Sequence, residues 1–318
     1  MQLDATLNSF FLHCLDSGDK HVYVLYLATD DRNICQYKSL IAEYPSVMFI
    51  KQTDFQLDVN TILNPYKKGG GKEKIYRVLC KVGMFGFRAG SLLERIRLHT
   101  LGIIQRLCIQ KLMPTPPYQT YILFLVDDNL FIRDFSLAEA IRTMEDQPDS
   151  LGVSLRLGRN TRYCYAFNCP QPLPVFSVLQ GSWMKFNWTN SEYDFGYPLE
   201  VSSSIYRTKE IIPLISGLHF QNPNGLEAQL ASNRFLFLSK FPNIICFEHS
   251  ITFCNPVNIV QDTANNRAGE RFPFSIEGMI TRFDQGDRIC VEHYSGFTPN
   301  ACHQEVELVF KKIKGNKA

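Results

Sequence analysis

Nine residues decide how the fold of this chain is interpreted: Tyr121–Asn129, which read YILFLVDDN. Six consecutive apolar residues with β-branched and aromatic side chains are typical of a buried strand. Two acids and an amide follow at its carboxyl end, which is where open α/β sheets bind their ligands. The stretch therefore predicts a strand over 121–126 that delivers Asp127, Asp128 and Asn129 to a binding site.

A similar arrangement occurs near the amino terminus. The apolar run Val22–Ala28 stops at polar Thr29, residues 32–43 carry apolar side chains at helical intervals, and a second apolar run covers Val47–Ile50. Strand, helix and strand within about thirty residues form a βαβ unit with a right-handed crossover. We expect its ligands to collect at the carboxyl ends of its strands.

Further elements point to one mixed α/β domain over residues 1–318. Capping boxes at Ser91–Glu94 and Ser136–Glu139 predict two helix starts, and Leu151–Leu157 predicts another strand. Residues 161–318 are richer in proline and aromatic side chains, but no long linker precedes them. The second part of the chain is therefore expected to elaborate the first.

Composition excludes several classes of protein. The 318 residues include 33 Lys+Arg and 31 Asp+Glu, a net charge of +2, and 45% of them are hydrophobic. Disorder is excluded, and the near-neutral charge argues against nucleic acid as a partner. We expect no signal peptide and no transmembrane segment, because the amino terminus lacks a basic region and no apolar run approaches 20 residues. A cytoplasmic location follows, with the ten cysteines, none in a C-x-x-C pair, as reduced thiols.

The acidic turn is the strongest chemical signal in the chain. Hard oxygen donors just beyond a buried strand suit a Mg²⁺ or Mn²⁺ ion that carries a diphosphate. Aspartate and asparagine are also ordinary turn residues, so a purely structural role stays open. The run Gly69–Gly71 followed by Lys72 is not a P-loop, because Glu73 replaces the Ser or Thr that would hold the metal.

The order of these elements resembles the nucleotide-diphospho-sugar transferases of the GT-A type. The elements concerned are the strand at 22–28, the second strand followed by Asp54, the helix from Ser91 and the strand that leads into the acidic turn. The resemblance covers about residues 20–160. It implies a GT-A-like α/β fold, with a mixed but mostly parallel sheet and helices on both faces. Residues 20–160 would bind the nucleotide-sugar, and 161–318 would form an acceptor half.

The resemblance also implies site residues. Asp127 and Asn129 would hold Mn²⁺ or Mg²⁺, with His249 as a candidate third ligand, although a histidine at such a position is more often a core or surface residue. The family usually has an acid where this chain has Asn129, so the metal could depend more on Asp127 and a later ligand.

The remaining implied residues concern the two substrates, a nucleotide-sugar donor and a carbohydrate or other hydroxyl acceptor. Ala28, Thr29 and Asp54 would lie around the nucleotide, and Asp128 would contact the sugar or ribose. In inverting members a carboxylate at the start of a late helix is the general base, which makes Glu227 the candidate. An acid near a helix amino terminus can also merely complement the helix dipole.

Three functions are compatible with these residues. The first is a metal-dependent glycosyltransferase. The second is a non-catalytic carbohydrate-binding or scaffolding protein on the same fold, which the uncharged Asn129 would favour. The third is a sugar nucleotidyltransferase, which normally needs a glycine-rich loop after the first strand, where this chain has Thr29-Asp30-Asp31-Arg32.

Overall fold

The computed structural model describes residues 1–63, 121–257, 267–272 and 274–313. The predicted helix from Ser91 and the basic segment around Gly69–Gly71 lie outside these ranges. In the described residues the helices are α1 (Gln2–His13), α2 (Asp31–Glu43), α3 (Phe55–Leu63), α4 (Leu137–Asp146), α5 (Thr208–Gly217), α6 (Pro223–Ser232) and α7 (Ile276–Asp284). None of these helices has the length and apolar character to cross a membrane.

The strands form several sheets, so the mixed α/β class is confirmed. Within the described ranges they are β1 (Val22–Tyr26), β2 (Val47–Lys51), β3 (Tyr121–Leu123), β4 (Asn129–Phe131), β5 (Ser150–Ser154), β6 (Tyr163–Cys164), β7 (Cys169–Pro170), β8 (Phe176–Val178), β9 (Trp183–Asn187), β10 (Ser204–Arg207), β11 (Asn243–Phe247), β12 (Thr252–Cys254), β13 (Asp287–Ile289) and β14 (Phe310–Lys312).

The predicted βαβ unit is present. β1 and β2 pair in parallel from Val22 opposite Val47 to Tyr26 opposite Lys51, with α2 as the crossover. Asp30 caps α2 by accepting a 2.7 Å hydrogen bond from the backbone N–H of Asn33. The strand ends at Tyr26, two residues earlier than the apolar run suggested, because Leu27 and Ala28 already belong to the loop before this cap.

The largest sheet has six strands in the order β3-β10-β5-β11-β9-β8. β5 and β11 pair in parallel, whereas the other four neighbouring pairs are antiparallel. The mixed character predicted from the sequence is therefore present, but the mostly parallel sheet of the GT-A type is not confirmed.

Helices cover both faces of this sheet, as predicted. Alternate residues of β11 point to opposite sides: Ile244 packs in the cluster that contains Ile211 of α5 and Leu226 of α6, and Ile245 in the cluster that contains Met144 of α4. Phe10 of α1 joins the second cluster. A strand between two helical layers has both faces buried, which explains its continuous apolar sequence. The division into one domain with two halves stays a prediction.

A two-stranded ladder fixes the acidic turn beside the large sheet. β4 pairs antiparallel with β12, with Asn129 opposite Cys254 and Phe131 opposite Thr252. Cys254 also forms a bridge with His303 on its other side. The turn that carries Asp127 and Asp128 therefore lies at the carboxyl end of β12.

Candidate active site

The acidic turn connects β3 to β4 and presents two different carboxylates. Asp127 is exposed to solvent, yet the atoms crowded around it raise the pKa of its carboxyl. Asp128 is half-buried, and its Oδ1 has no hydrogen-bond partner. Burial, together with the charge of Asp127, raises the pKa of Asp128 to about 7. Two adjacent carboxylates in such surroundings repel each other unless a cation or a proton neutralises them.

Asn129 has a structural role in this turn. Its side chain is fully buried, its Oδ1 accepts from the backbone N–H of Val126 at 2.8 Å, and its Nδ2 donates to the carbonyl oxygen of Ser202 at 2.7 Å. Both ends of the amide are engaged inside the protein. The structure therefore does not present Asn129 to a metal ion, contrary to the sequence-based expectation.

His249 is not brought to the acidic turn. It is exposed in the segment between β11 and β12, three residues before Thr252. Because Thr252 lies opposite Phe131 and Cys254 opposite Asn129, residues that precede Thr252 lie towards the end of the ladder farther from Asp128. The prediction that His249 is a third metal ligand is therefore not supported by this geometry.

The residues expected around the nucleotide lie at the carboxyl edge of β1 and β2. Ala28 is half-buried and Thr29 exposed in the loop after β1. Asp54 follows β2 and accepts a 2.8 Å hydrogen bond from the backbone N–H of Leu57, so it caps α3. Parallel strands place these two loops side by side. The hydrogen bond from Leu57 is a structural role for Asp54, and its contact with a nucleotide base stays a prediction.

Tyr37 links that edge to the acidic turn. It lies on α2, and its ring centroid is 4.2 Å from that of Tyr26 at the end of β1. Burial, with the nearby charge of Asp127, raises the pKa of the Tyr37 hydroxyl. The charge of Asp127 is therefore near enough to α2 to act on Tyr37.

Glu227 lies deeper in the molecule than the sequence suggested. Asn222 caps α6 and Pro223 is its first residue, so Glu227 is in the second turn and not in the first. Its Oε2 accepts a 2.9 Å hydrogen bond from the backbone N–H of Val201, and burial raises the pKa of its carboxyl. An acid beyond the first turn gains little from the helix dipole.

Sequence reasoning missed Arg156, the cation at the centre of this region. Its side chain is 4% exposed, and its guanidinium donates to the Ser202 hydroxyl at 2.8 Å. Its Nε lies 3.7 Å from a carboxylate oxygen of the buried Glu200 and has no hydrogen-bond partner. Its position in the sequence could have revealed it, because Arg156 is the single charged residue in the otherwise mainly apolar run Leu151–Leu157. A charge buried with such a strand must be paired with another polar group.

Arg156 acts on carboxylates from three parts of the chain. Burial raises the pKa of Asp128, Asp194 and Glu227, and the positive charge of Arg156 opposes this rise in each of them. Its own pKa is raised well above the usual value, although burial alone would lower it. The acidic turn and the candidate base therefore share one electrostatic centre.

Asn255, next to the acidic turn, also has a polar side-chain atom without a partner. Its backbone N–H donates to the carbonyl oxygen of Asp128 at 2.9 Å, while its buried Nδ2 has no partner. It begins a segment rich in asparagine and glutamine, of which residues 258–266 lie outside the described ranges. Over the described ranges, no three His, Cys, Asp or Glu side chains are grouped as a complete metal site.

Comparison with known proteins gives one informative similarity. No family model matches the chain. The chain is similar to the bifunctional glycosyltransferase pgtA of Dictyostelium discoideum, with 28% identity over 134 residues. The match covers 39% of this chain and 17% of the length of that protein. This distant, partial relative is a glycosyltransferase, and the match does not bear on the GT-A type.

Proposed function

We propose that this chain is a metal-dependent glycosyltransferase that moves a sugar from a nucleotide-sugar donor to a carbohydrate or other hydroxyl acceptor. The observation that carries the proposal is the unpartnered, buried Oδ1 of Asp128 beside the exposed carboxylate of Asp127. Both follow β3, an edge strand of the six-stranded sheet. The partial similarity to a named glycosyltransferase supports the same chemistry.

The donor set suits Mn²⁺ or Mg²⁺. Asp127 and Asp128 would hold the cation, because carboxylate oxygens are the preferred ligands of both metals and Asp128 has an oxygen to spare. Such ions keep several waters or substrate oxygens, so two protein ligands are sufficient. When bound, the metal would neutralise the diphosphate and favour its departure.

The nucleotide would lie on the edge formed by β1, β2 and α2. Thr29 is exposed in the loop after β1, and Tyr37 of α2 is near enough to Asp127 for its pKa to be raised by that charge. A diphosphate at the acidic turn would leave the nucleoside within reach of both. Asp54, which caps α3, would help by fixing the neighbouring loop.

Glu227 would remove the proton from the acceptor hydroxyl. The hydrogen bond from Val201 fixes one carboxylate oxygen, and burial raises the pKa of the group, which makes its ionised form a stronger base. The charge of Arg156 keeps that rise limited, so the carboxylate can stay ionised. A base in this position corresponds to an inverting transfer.

The scaffolding alternative loses its main argument in the structure. It rested on the uncharged Asn129, which is now explained by its two hydrogen bonds and not by decay of a metal site. The nucleotidyltransferase alternative has no new support, since the loop after β1 contains no glycine.

A melting-temperature screen with UDP, GDP, CMP and dTDP compounds, with and without Mn²⁺, tests the proposal. At least one nucleotide should raise the melting temperature only with metal, because ligands that bind the folded state stabilise it. The corresponding nucleotide-sugar should then be slowly hydrolysed. Pyrophosphate release would indicate a nucleotidyltransferase, and no response to any nucleotide would overturn the proposal.

A further inference from the structure

A pocket of about 430 Å³ opens on the other side of β12 from the acidic turn. This volume is within the range of small-molecule sites. Its walls come from three separate segments, and its lining is made of aromatic, amide and charged side chains. The residues important for the argument are Tyr163, Tyr165, Arg267, Arg271, His303 and Glu305.

The pocket lies next to the candidate active site. Cys254 of β12 is opposite Asn129 on one side and bridged to His303 on the other. Two strand spacings put the backbone of His303 about 10 Å from that of Asn129. Burial, with the charge of Arg156, lowers the pKa of His303 to about 3, so the floor of the pocket is near the electrostatic centre described above.

One wall is held rigidly by Glu305. Its carboxylate accepts from the Tyr165 hydroxyl at 2.8 Å and from the backbone N–H groups of Arg271 and Phe272 at 2.9 and 3.1 Å. Arg267 covers the Tyr165 ring at 5.3 Å. These contacts fix the pocket's shape and leave Glu305 with little capacity for a ligand.

Two other side chains in the pocket keep a surface that a ligand could use. Tyr163 is half-buried and its hydroxyl donates to Asn168, but no other ring or cation stacks on its ring in the part of the chain that the structure describes. Arg271 is exposed, its guanidinium lies 5.3 Å from the centroid of the Phe272 ring, and it forms no ion pair among those residues, whereas Arg267 is paired with Glu270 at 2.8 Å. A flat aromatic face and a planar donor are therefore available together.

We propose that this pocket binds a sugar unit of a carbohydrate acceptor. The Tyr163 ring would stack on the apolar face of the sugar, and the Arg271 guanidinium would donate hydrogen bonds to its oxygens. The assignment as an acceptor site depends on the proposed transferase function, and it narrows the acceptor to carbohydrates. The amides of Asn300 and Gln304 also line the pocket and add hydrogen-bonding groups of the kind that read hydroxyls.

Binding of methyl glycosides tests this proposal without any donor. The probes are methyl hexosides, methyl N-acetylhexosaminides and methyl hexuronides at millimolar concentration, detected by saturation-transfer NMR. At least one should bind the wild-type protein. Tyr163→Ala and Arg271→Ala should each weaken that binding by about tenfold, which corresponds to one lost stacking or charge-assisted contact.

Matched variants separate the contacts from the fold. Tyr163→Phe keeps the ring and should keep most of the affinity, and Arg142→Ala, an exposed arginine on α4, should change nothing. All variants should retain the wild-type response to Mn²⁺ and nucleotide. If no methyl glycoside binds, or if Tyr163→Ala binds as well as the wild type, the pocket proposal is overturned.

The same measurements distinguish this failure from failure of the proposed function. If nucleotide and Mn²⁺ bind but Tyr163→Ala does not change glycoside binding, the proposed transferase function is retained and the proposed sugar site in the pocket is rejected. Glycoside binding that depends on Tyr163, without any nucleotide response, would retain the pocket as a carbohydrate site but overturn its role as an acceptor site.

Discussion

The side-chain amide of Asn129 donates a 2.7 Å hydrogen bond to the carbonyl oxygen of Ser202, 73 residues away in the sequence. This bond ties the acidic turn to the segment before β10. Asn129→Ala should leave Ser202 and the Val126 N–H unpaired and lower the free energy of unfolding by about 2 kcal/mol or more. Urea denaturation measures the change.

Asn129→Asp gives the sharper comparison. An aspartate cannot donate to the Ser202 carbonyl, so we expect a similar loss of stability and no gain in Mn²⁺ affinity. A stable Asn129→Asp protein that binds Mn²⁺ more tightly would show that residue 129 is a metal ligand after all.

Asp127→Asn and Asp128→Asn should each abolish the Mn²⁺-dependent rise in melting temperature with nucleotide. Neither should weaken the apoprotein much, because Asp127 is exposed and the buried Asp128 carboxylate carries an unpartnered oxygen. Asp146→Asn, on the exposed surface of α4, serves as the control. An undiminished metal response in both acidic-turn variants would contradict the proposed ligands.

Glu227→Gln should lower transfer to the acceptor by about 10² to 10⁴, the usual contribution of a positioned acid or base. Nucleotide binding and the melting temperature should be retained, since glutamine can still accept the Val201 hydrogen bond. Glu145→Gln, an exposed carboxylate on α4, is the matched control. Full activity of Glu227→Gln would indicate that Asp194 or Glu248 is the base, or that the mechanism is retaining.

Arg156 and Glu200 should be strongly coupled, because each is buried and they are 3.7 Å apart. Arg156→Met leaves Glu200 as an uncompensated buried charge, and we expect a loss of about 3 to 5 kcal/mol. The double variant Arg156→Met/Glu200→Gln should recover part of this loss in a double-mutant cycle. Additive effects of the two changes would show that the pair does not interact.

His303 should make stability depend on pH. Its pKa is lowered to about 3, whereas the unfolded chain binds the proton near pH 6.5, so stability is lost as the pH falls below that value. His303→Gln should remove about 1 to 2 kcal/mol of the loss between pH 7.5 and pH 5, measured by denaturation at both pH values. His21→Gln, at an exposed position, should not. Equal pH dependence in the wild type and His303→Gln would mean that folding does not lower the pKa of His303.

Local elements were predictable because their signals are contiguous in the chain. The capping box at Ser136 is confirmed: its hydroxyl accepts from the backbone N–H of Glu139 at 3.1 Å. The βαβ unit over Val22–Lys51 is confirmed within two residues at the start of the helix and at the strand ends. Residues 244–253 form two strands, because β11 ends at Phe247 and β12 begins at Thr252.

The site was predictable only in part. The resemblance to the GT-A family predicted Asp127, Asn129 and His249 as metal ligands and Glu227 as the base. The roles of Asp127 and Glu227 stay predictions, whereas the geometry does not support the other two. Which way Asn129 points depends on Ser202, and where His249 lies depends on the register of β12 with β4. Neither relationship can be predicted from the residues near Asn129 or His249 in the sequence, because the partners are distant in the chain.

The sequence by itself determined the α/β class, the βαβ unit and the position of two acids after an apolar strand, because apolar periodicity and capping residues act over a few neighbouring positions. That strand is shorter and more exposed than predicted, since β3 covers only Tyr121–Leu123 and is half-buried at the edge of the six-stranded sheet. Tertiary structure alone decided that Arg156, Glu200 and Glu227 share one electrostatic centre with Asp128. The physical reason is that a buried charge interacts with whatever the folded chain packs around it, at any separation in sequence.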